Sequence, residues 1–251
     1  MTSTPADFLR QAMDAQGITD NSERAGIAGI VEGECHFKPH YEDSYAHTGD
    51  DRIRMIFGSR VSGLTDAQLD ADKTDPAQWF ELVYGYQTSV GRMLGNTAPG
   101  DGYKYRGCGD FQLTGKGNFI LYGRLSGHPE IVDHPELAND PQIAAAVAVA
   151  YFRGRYHGGG FDQMLAAVGN NSPDIAATKR DAFARYLASG EFAAGVAPPA
   201  VPTPPVQPPA APVAAPASRV SPAPSDDDGT EAEAERLNAA ELRSLTGSPS
   251  A

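Results

Sequence analysis

The sequence predicts a mainly α-helical domain carrying one small β-hairpin, followed by a disordered C-terminal tail. Three observations lead there. Between Thr4 and Ser189, apolar residues recur at helical spacing between capping signals. One glycine-rich and aromatic stretch, Gly100 to Phe119, breaks that pattern and reads as a hairpin beside a cleft. Beyond Gly195 the composition changes: residues 196–224 hold 11 of the 20 prolines. That stretch reads as an extended linker, and 225–251 is too polar and acidic to build a core. The expected division is a domain at 1–194, a linker at 195–224 and a tail at 225–251.

Taken in order, the first helix starts after Thr4, with Pro5 at its first position and Asp7 completing a capping box. Asn21 or Ser22 is expected to cap a second helix, along which Ile27, Ile30 and Val31 form a buried stripe. Glu34 follows Ile27 by two turns and Ile30 by one, so it is expected on the same inward face. A carboxyl buried there would have a raised pKa, as a general acid requires. Pro39 ends the helical pattern, and His40 to Thr48 reads as a loop bearing Glu42, Asp43 and Ser44. Glu42 or Asp43 on such a loop would suit an ionised, solvated base.

Asp50 to Gly58 reads as a short helix, and Thr65 and Thr74 as caps of two more. Trp79, Phe80, Val83 and Tyr84 have the spacing of core residues. Asp140 and Pro141 open a strong helix with Ile143, Val147, Ala150 and Tyr151 on one face. A further helix runs from Phe161 to Val168. After a loop at 169–172, Pro173 starts the last helix, and Gly190 stops it.

Charge and composition narrow the function classes. The net charge is −12, and residues 1–196 carry −8 of it, which disfavours nucleic acid as a partner. The start, MTSTPADFLRQAMDAQG, lacks a basic n-region and an apolar h-region, so no secretory signal is expected. No apolar run reaches membrane-spanning length, so no membrane insertion is expected. Cys35 and Cys108 are too few for a disulfide framework and read as free thiols. Glu34, Cys35, His36, His40 and His47 contain zinc-ligand types. The HExxH and CxxC spacings are absent and Pro39 breaks the helix that would align them, so no metal is assigned.

The Gly100–Phe119 stretch, GDGYKYRGCGDFQLTGKGNF, holds six glycines that let a backbone approach a ligand closely. Its aromatic rings and the side chains of Gln112, Thr114 and Asn118 suit a polyhydroxylated ligand such as a sugar. Within it, Tyr105-Arg106-Gly107-Cys108-Gly109-Asp110-Phe111-Gln112-Leu113-Thr114-Gly115 resembles the YRGRGxxQLTG segment of glycoside hydrolase family 19. That family contains chitinases and lysozyme-like phage endolysins. Glu34-Cys35-His36-Phe37 and Glu42-Asp43-Ser44-Tyr45-Ala46-His47-Thr48 resemble the two acidic segments of the phage branch. The likeness spans about residues 6 to 190.

The resemblance implies a lysozyme-like helical domain whose hairpin flanks an active-site cleft. It implies hydrolysis of β-1,4 bonds in peptidoglycan, with chitin as the alternative substrate. Glu34 would be the acid and Glu42 the base of an inverting pair. Ser44, Thr48, Tyr105, Gln112, Thr114, Asn118 and Asn171 would contact substrate or its water. No cofactor is implied. A setting in the host cytoplasm before release to the wall, or on a virion, would follow, with the tail free to bind a protein partner. Two positions depart from the motif: Cys108 replaces its second arginine, and Asp110 stands where an apolar residue is usual. Lys116 or Arg106 is the expected substitute for the missing charge. The departures leave open a second class, a catalytically weakened wall-binding or virion structural module. A zinc amidase is the third.

Overall fold

The computed structural model describes residues 3–42, 45–169 and 172–195. The expected sites Ser44 and Asn171, the rival base Asp43, and the linker and tail lie outside them. The described residues are mainly helical. The helices are α1 (Pro5–Ala15), α2 (Asn21–Cys35), α3 (Asp50–Phe57), α4 (Asp66–Thr74), α5 (Pro76–Tyr84), α6 (Ser89–Met93), α7 (Asp101–Lys104), α8 (Lys116–Ser126), α9 (Pro141–Arg155), α10 (Phe161–Val168) and α11 (Pro173–Ser189). Short 3-10 turns occupy Gly58–Arg60, Pro129–Val132 and Pro135–Asn139. No described helix is long and apolar enough to cross a membrane.

Local chemistry explains most boundaries. Thr4 and Asp7 form the expected capping box at the start of α1. Asp140 receives the Gln142 and Ile143 amides at the start of α9, and Gly190 closes α11 in the left-handed conformation. Two caps differ from expectation by one residue. Asp20, rather than Asn21 or Ser22, accepts the Glu23 amide at 2.7 Å, while the Asn21 side chain is occupied by the Ala194 amide at 3.0 Å. Asp75, rather than Thr74, caps α5, because Thr74 is still the last residue of α4 and its hydroxyl donates back to Ala71.

The hairpin is reduced to a single antiparallel bridge between Cys108 and Leu113, with N···O distances of 3.3 and 2.7 Å. No strand forms among the described residues. Left-handed backbone at Gly109 and Gln112 curls the segment too tightly for strand pairing to extend.

Three groups of buried side chains support the fold. The first joins α1, α2, α9, α10 and α11 around Ile27, Ile30, Val31, Val149 and Phe152. The second joins Tyr105, Cys108, Leu113, Phe119 and Tyr122 to Val147 and Ala150 of α9. The third, from α3 to α5, is centred on Phe57, Trp79 and Phe80. Trp79 is fully buried, as its spacing with Phe80 and Val83 predicts.

The most extensive helix pairing is that of α2 with α11. At Gly29 a β-carbon would lie 2.7 Å from the Phe183 backbone nitrogen, so α11 packs where a side chain would otherwise stand. Alanine at a helical glycine ordinarily gains helix propensity. Here Gly29→Ala is expected instead to destabilise the protein by roughly 1–3 kcal/mol through overpacking, measured as a lower urea midpoint with an unchanged slope.

Candidate functional site

The site is built on the non-helical segment that follows α2. Phe37 packs on the first core group, Tyr41 on the second and Tyr45 on the third. Three anchors in one loop hold Glu42 where the groups meet. The Glu42 amide donates to the Gly107 carbonyl at 2.7 Å, joining this loop to the glycine-rich stretch.

The Glu42 carboxyl lies in a clasp. Its Oε1 accepts the Tyr45 hydroxyl at 2.8 Å and the Tyr84 hydroxyl at 3.2 Å, and the Gly107 amide donates to the same carboxyl. A β-carbon at residue 107 would sit 3.0 Å from Glu42 Oε2 and 2.9 Å from Gln112 Oε1, so only glycine lets both side chains close in. Desolvation pushes the Glu42 pKa up, and the two phenols, the Gly107 amide and the Arg60 charge oppose it. The net shift is upward. Tyr84 is shifted well above its ordinary value by burial and by Glu42, so it remains a donor. The expectation of a freely solvated Glu42 is thereby corrected: α5 and the third core group cover its carboxyl end.

Glu34 is corrected in the opposite sense. It is largely exposed, and its Oε1 receives the Nζ of the fully buried Lys179 at 2.5 Å. It stands at the end of the stripe, in the last turn of α2, where the Lys179 stem crosses Gly33 and brings the ammonium to it. A buried ammonium requires a counter-charge, and Glu34 is that charge. The neighbouring Cys35 turns toward the glycine-rich stretch, where its thiol donates to Asp110 at 3.2 Å.

The polar residues of the motif bond mainly to one another. The Asn118 amide donates to the Thr114 carbonyl at 2.7 Å, the Thr114 hydroxyl to the Gln112 carbonyl at 2.8 Å, and the Gln112 amide to the His40 carbonyl at 3.0 Å. Gln112 stays half-buried beside Glu42 and Thr114 is half-buried close to it in the chain, whereas Asn118 is buried, with its Oδ1 lacking a partner. Tyr105, expected to meet substrate, is a core residue: it is 2 % exposed and its hydroxyl donates to the Val132 carbonyl. Thr48 is drawn toward α4, its carbonyl accepting Lys73 at 2.9 Å. The structure therefore brings Glu42 and Gln112 together, bonds Thr114 to the Gln112 carbonyl, and sets Glu34, Thr48, Tyr105 and Asn118 in other surroundings.

Both departures from the motif are accounted for by burial. Cys108 is fully buried in the second core group, with its thiol toward the Pro135 carbonyl. Asp110 is buried against Cys35, and desolvation raises its pKa to about 6. The two cysteines are free, and no cluster of metal-ligand side chains occurs among the described residues. The cation beside Glu42 is Arg60, not either expected substitute. Lys116 pairs with Asp101, and Arg106 stacks on tyrosines.

Tyr84, Arg60 and Lys179 have no signal in the sequence. Tyr84 carries the spacing of a core residue, and only its hydroxyl sets it apart. No family model matches the chain, and no match to a curated protein was found.

Two measurements check the electrostatics. Asp110 binds a proton more tightly folded than unfolded, so stability falls as pH rises from near 4 to beyond 6. The loss is expected to approach about 3 kcal/mol, and urea titrations of Asp110→Asn should lack that slope. Tyr84→Phe removes a hydrogen bond that favours ionised Glu42, so the Glu42 titration should move to still higher pH. The same variant should lose about 1–3 kcal/mol at neutral pH, with both effects read by carboxyl NMR and denaturation.

Proposed function

We propose that this protein is a lysozyme-like glycosidase that hydrolyses β-1,4 bonds of bacterial peptidoglycan. The observation that carries the reading is the convergence of the second acidic segment on the glycine-rich motif, with the Glu42 carboxyl clasped between two phenols and the Gly107 amide. A carboxylate whose pKa is raised toward working pH is the stronger base, and fixing Oε1 leaves Oε2 to orient a water. In the roles implied by the resemblance, Glu34 protonates the leaving oxygen and Glu42 activates water on the other face of the sugar. Gln112 stands beside Glu42 to meet the substrate, and the half-buried Thr114 would take the binding role the resemblance implies. Glu34 can donate only after release from Lys179, so substrate entering the cleft must open that ion pair.

The Glu34–Lys179 pair is also the observation that favours the second reading, a wall-binding or virion module in which Glu34 merely balances a buried charge. Digestion of purified peptidoglycan, with products read by mass spectrometry, separates the two. New reducing ends are expected from the wild type. Glu42→Gln is expected to slow their release about 10²–10⁴-fold, and Glu34→Gln by a comparable factor, both variants keeping the wild-type circular dichroism. Binding without cleavage by the wild type would establish the module, and free stem peptides would establish an amidase. Parallel digestion of chitin oligomers tests the alternative substrate.

A further inference from the structure

Arg106 stands one residue from the Glu42 clasp on both chain segments: it precedes Gly107, and its guanidinium covers Tyr41, which precedes Glu42. The guanidinium carbon lies 3.8 Å from the Tyr41 ring centre and 4.2 Å from that of Tyr103, with Phe80 further off at 5.9 Å. One N–H donates to the Tyr103 carbonyl at 2.9 Å. Two aromatic faces thus fix the plane of the group and remove part of its hydration.

Among the described residues no carboxylate pairs with Arg106, whereas Lys116, Lys179 and Arg24 are each matched to one. Glu136, which lies near enough to act on Tyr41, is paired with His134. A fixed guanidinium with free N–H groups is suited to a carboxylate, which it can hold through paired hydrogen bonds. Tyr103, 38 % exposed, adds an accessible ring face at the same place.

We propose that Arg106, clamped between Tyr41 and Tyr103, recognises a carboxylate of the glycan strand and thereby selects peptidoglycan over chitin. The inference rests on the reading of the site as a wall glycosidase. Peptidoglycan strands bear carboxylates on their peptide substituents, and chitin strands bear none. The contact fixes the strand beside Glu42 without taking part in bond cleavage, so its effect falls on KM.

The test compares soluble peptidoglycan strands with the same strands after their carboxyls are converted to amides with carbodiimide and ammonia. Wild-type KM is expected to rise about tenfold on amidation with kcat little changed, a size reasonable for one charge-assisted pair. Arg106→Gln should show the higher KM on both strands, and Arg106→Lys, which keeps charge without the planar fork, an intermediate preference. Equal wild-type KM on the two strands, or a preference retained in Arg106→Gln, overturns the proposal. Should Arg106→Gln fail to fold, the wild-type comparison still decides. If the wild type releases no reducing ends, the glycosidase reading falls. Calorimetric binding of the two strands then decides the carboxylate preference by itself, equal affinity overturning it.

Discussion

A carboxyl group removed from water must be given hydrogen bonds, and much of this structure follows from giving them to Glu42. Its donors come from three separate stretches: Tyr45 from its own loop, Tyr84 from the end of α5, and Gly107 from the glycine-rich motif. Tyr45 lies three residues on, whereas Tyr84 and Gly107 are distant in the chain. Each donor can reach only if its own core group is formed, so the carboxyl connects the packing of α3 to α5 with that of α8 and α9. Burial raises its pKa and the donors restrain the rise, which leaves a carboxyl still able to ionise.

The segment that carries Glu42 is held by side-chain anchors and not by helical hydrogen bonds. Phe37, Tyr41 and Tyr45 enter three different core groups, and a backbone bond to Gly107 closes the connection. Reactive groups are commonly placed on loops supported by a rigid scaffold. Here the support is aromatic anchoring combined with the internal bonds of Gln112, Thr114 and Asn118. Those three side chains act first as the motif's own framework, and Gln112 keeps a half-buried position beside the carboxyl.

The α2–α11 contact decides the surroundings of Glu34. Glycine at position 29 admits the α11 backbone, and this close approach carries the stem of Lys179 across Gly33 until its ammonium meets Glu34. The end of α2 is thus divided: Glu34 faces α11, while Cys35 faces Asp110 in the glycine-rich stretch. Asp110 and Cys108, which break the family motif, both serve packing. The thiol of Cys35 gives the Asp110 carboxyl a donor, and Cys108 fills the second core group where a charged side chain would be stranded.

What the sequence determined by itself was local. Helix starts at Thr4 and Asp140, the stop at Gly190, and the core stripes of Ile27, Ile30, Val31 and Trp79 follow from capping and spacing, which act within a few residues. The resemblance singled out Glu42 and the stretch around Gly107, and the fold joins the two through a backbone hydrogen bond. Tertiary structure alone decided which carboxyl is sheltered. The periodicity of α2 points Glu34 inward, but at the last turn of the helix it is exposed and pairs with Lys179. The loop composition marks Glu42 as solvated, but Tyr45 and Tyr84 close over it. Burial and ion pairing depend on residues distant in the chain, such as Lys179 for Glu34 and Tyr84 for Glu42, and no local pattern encodes those partners.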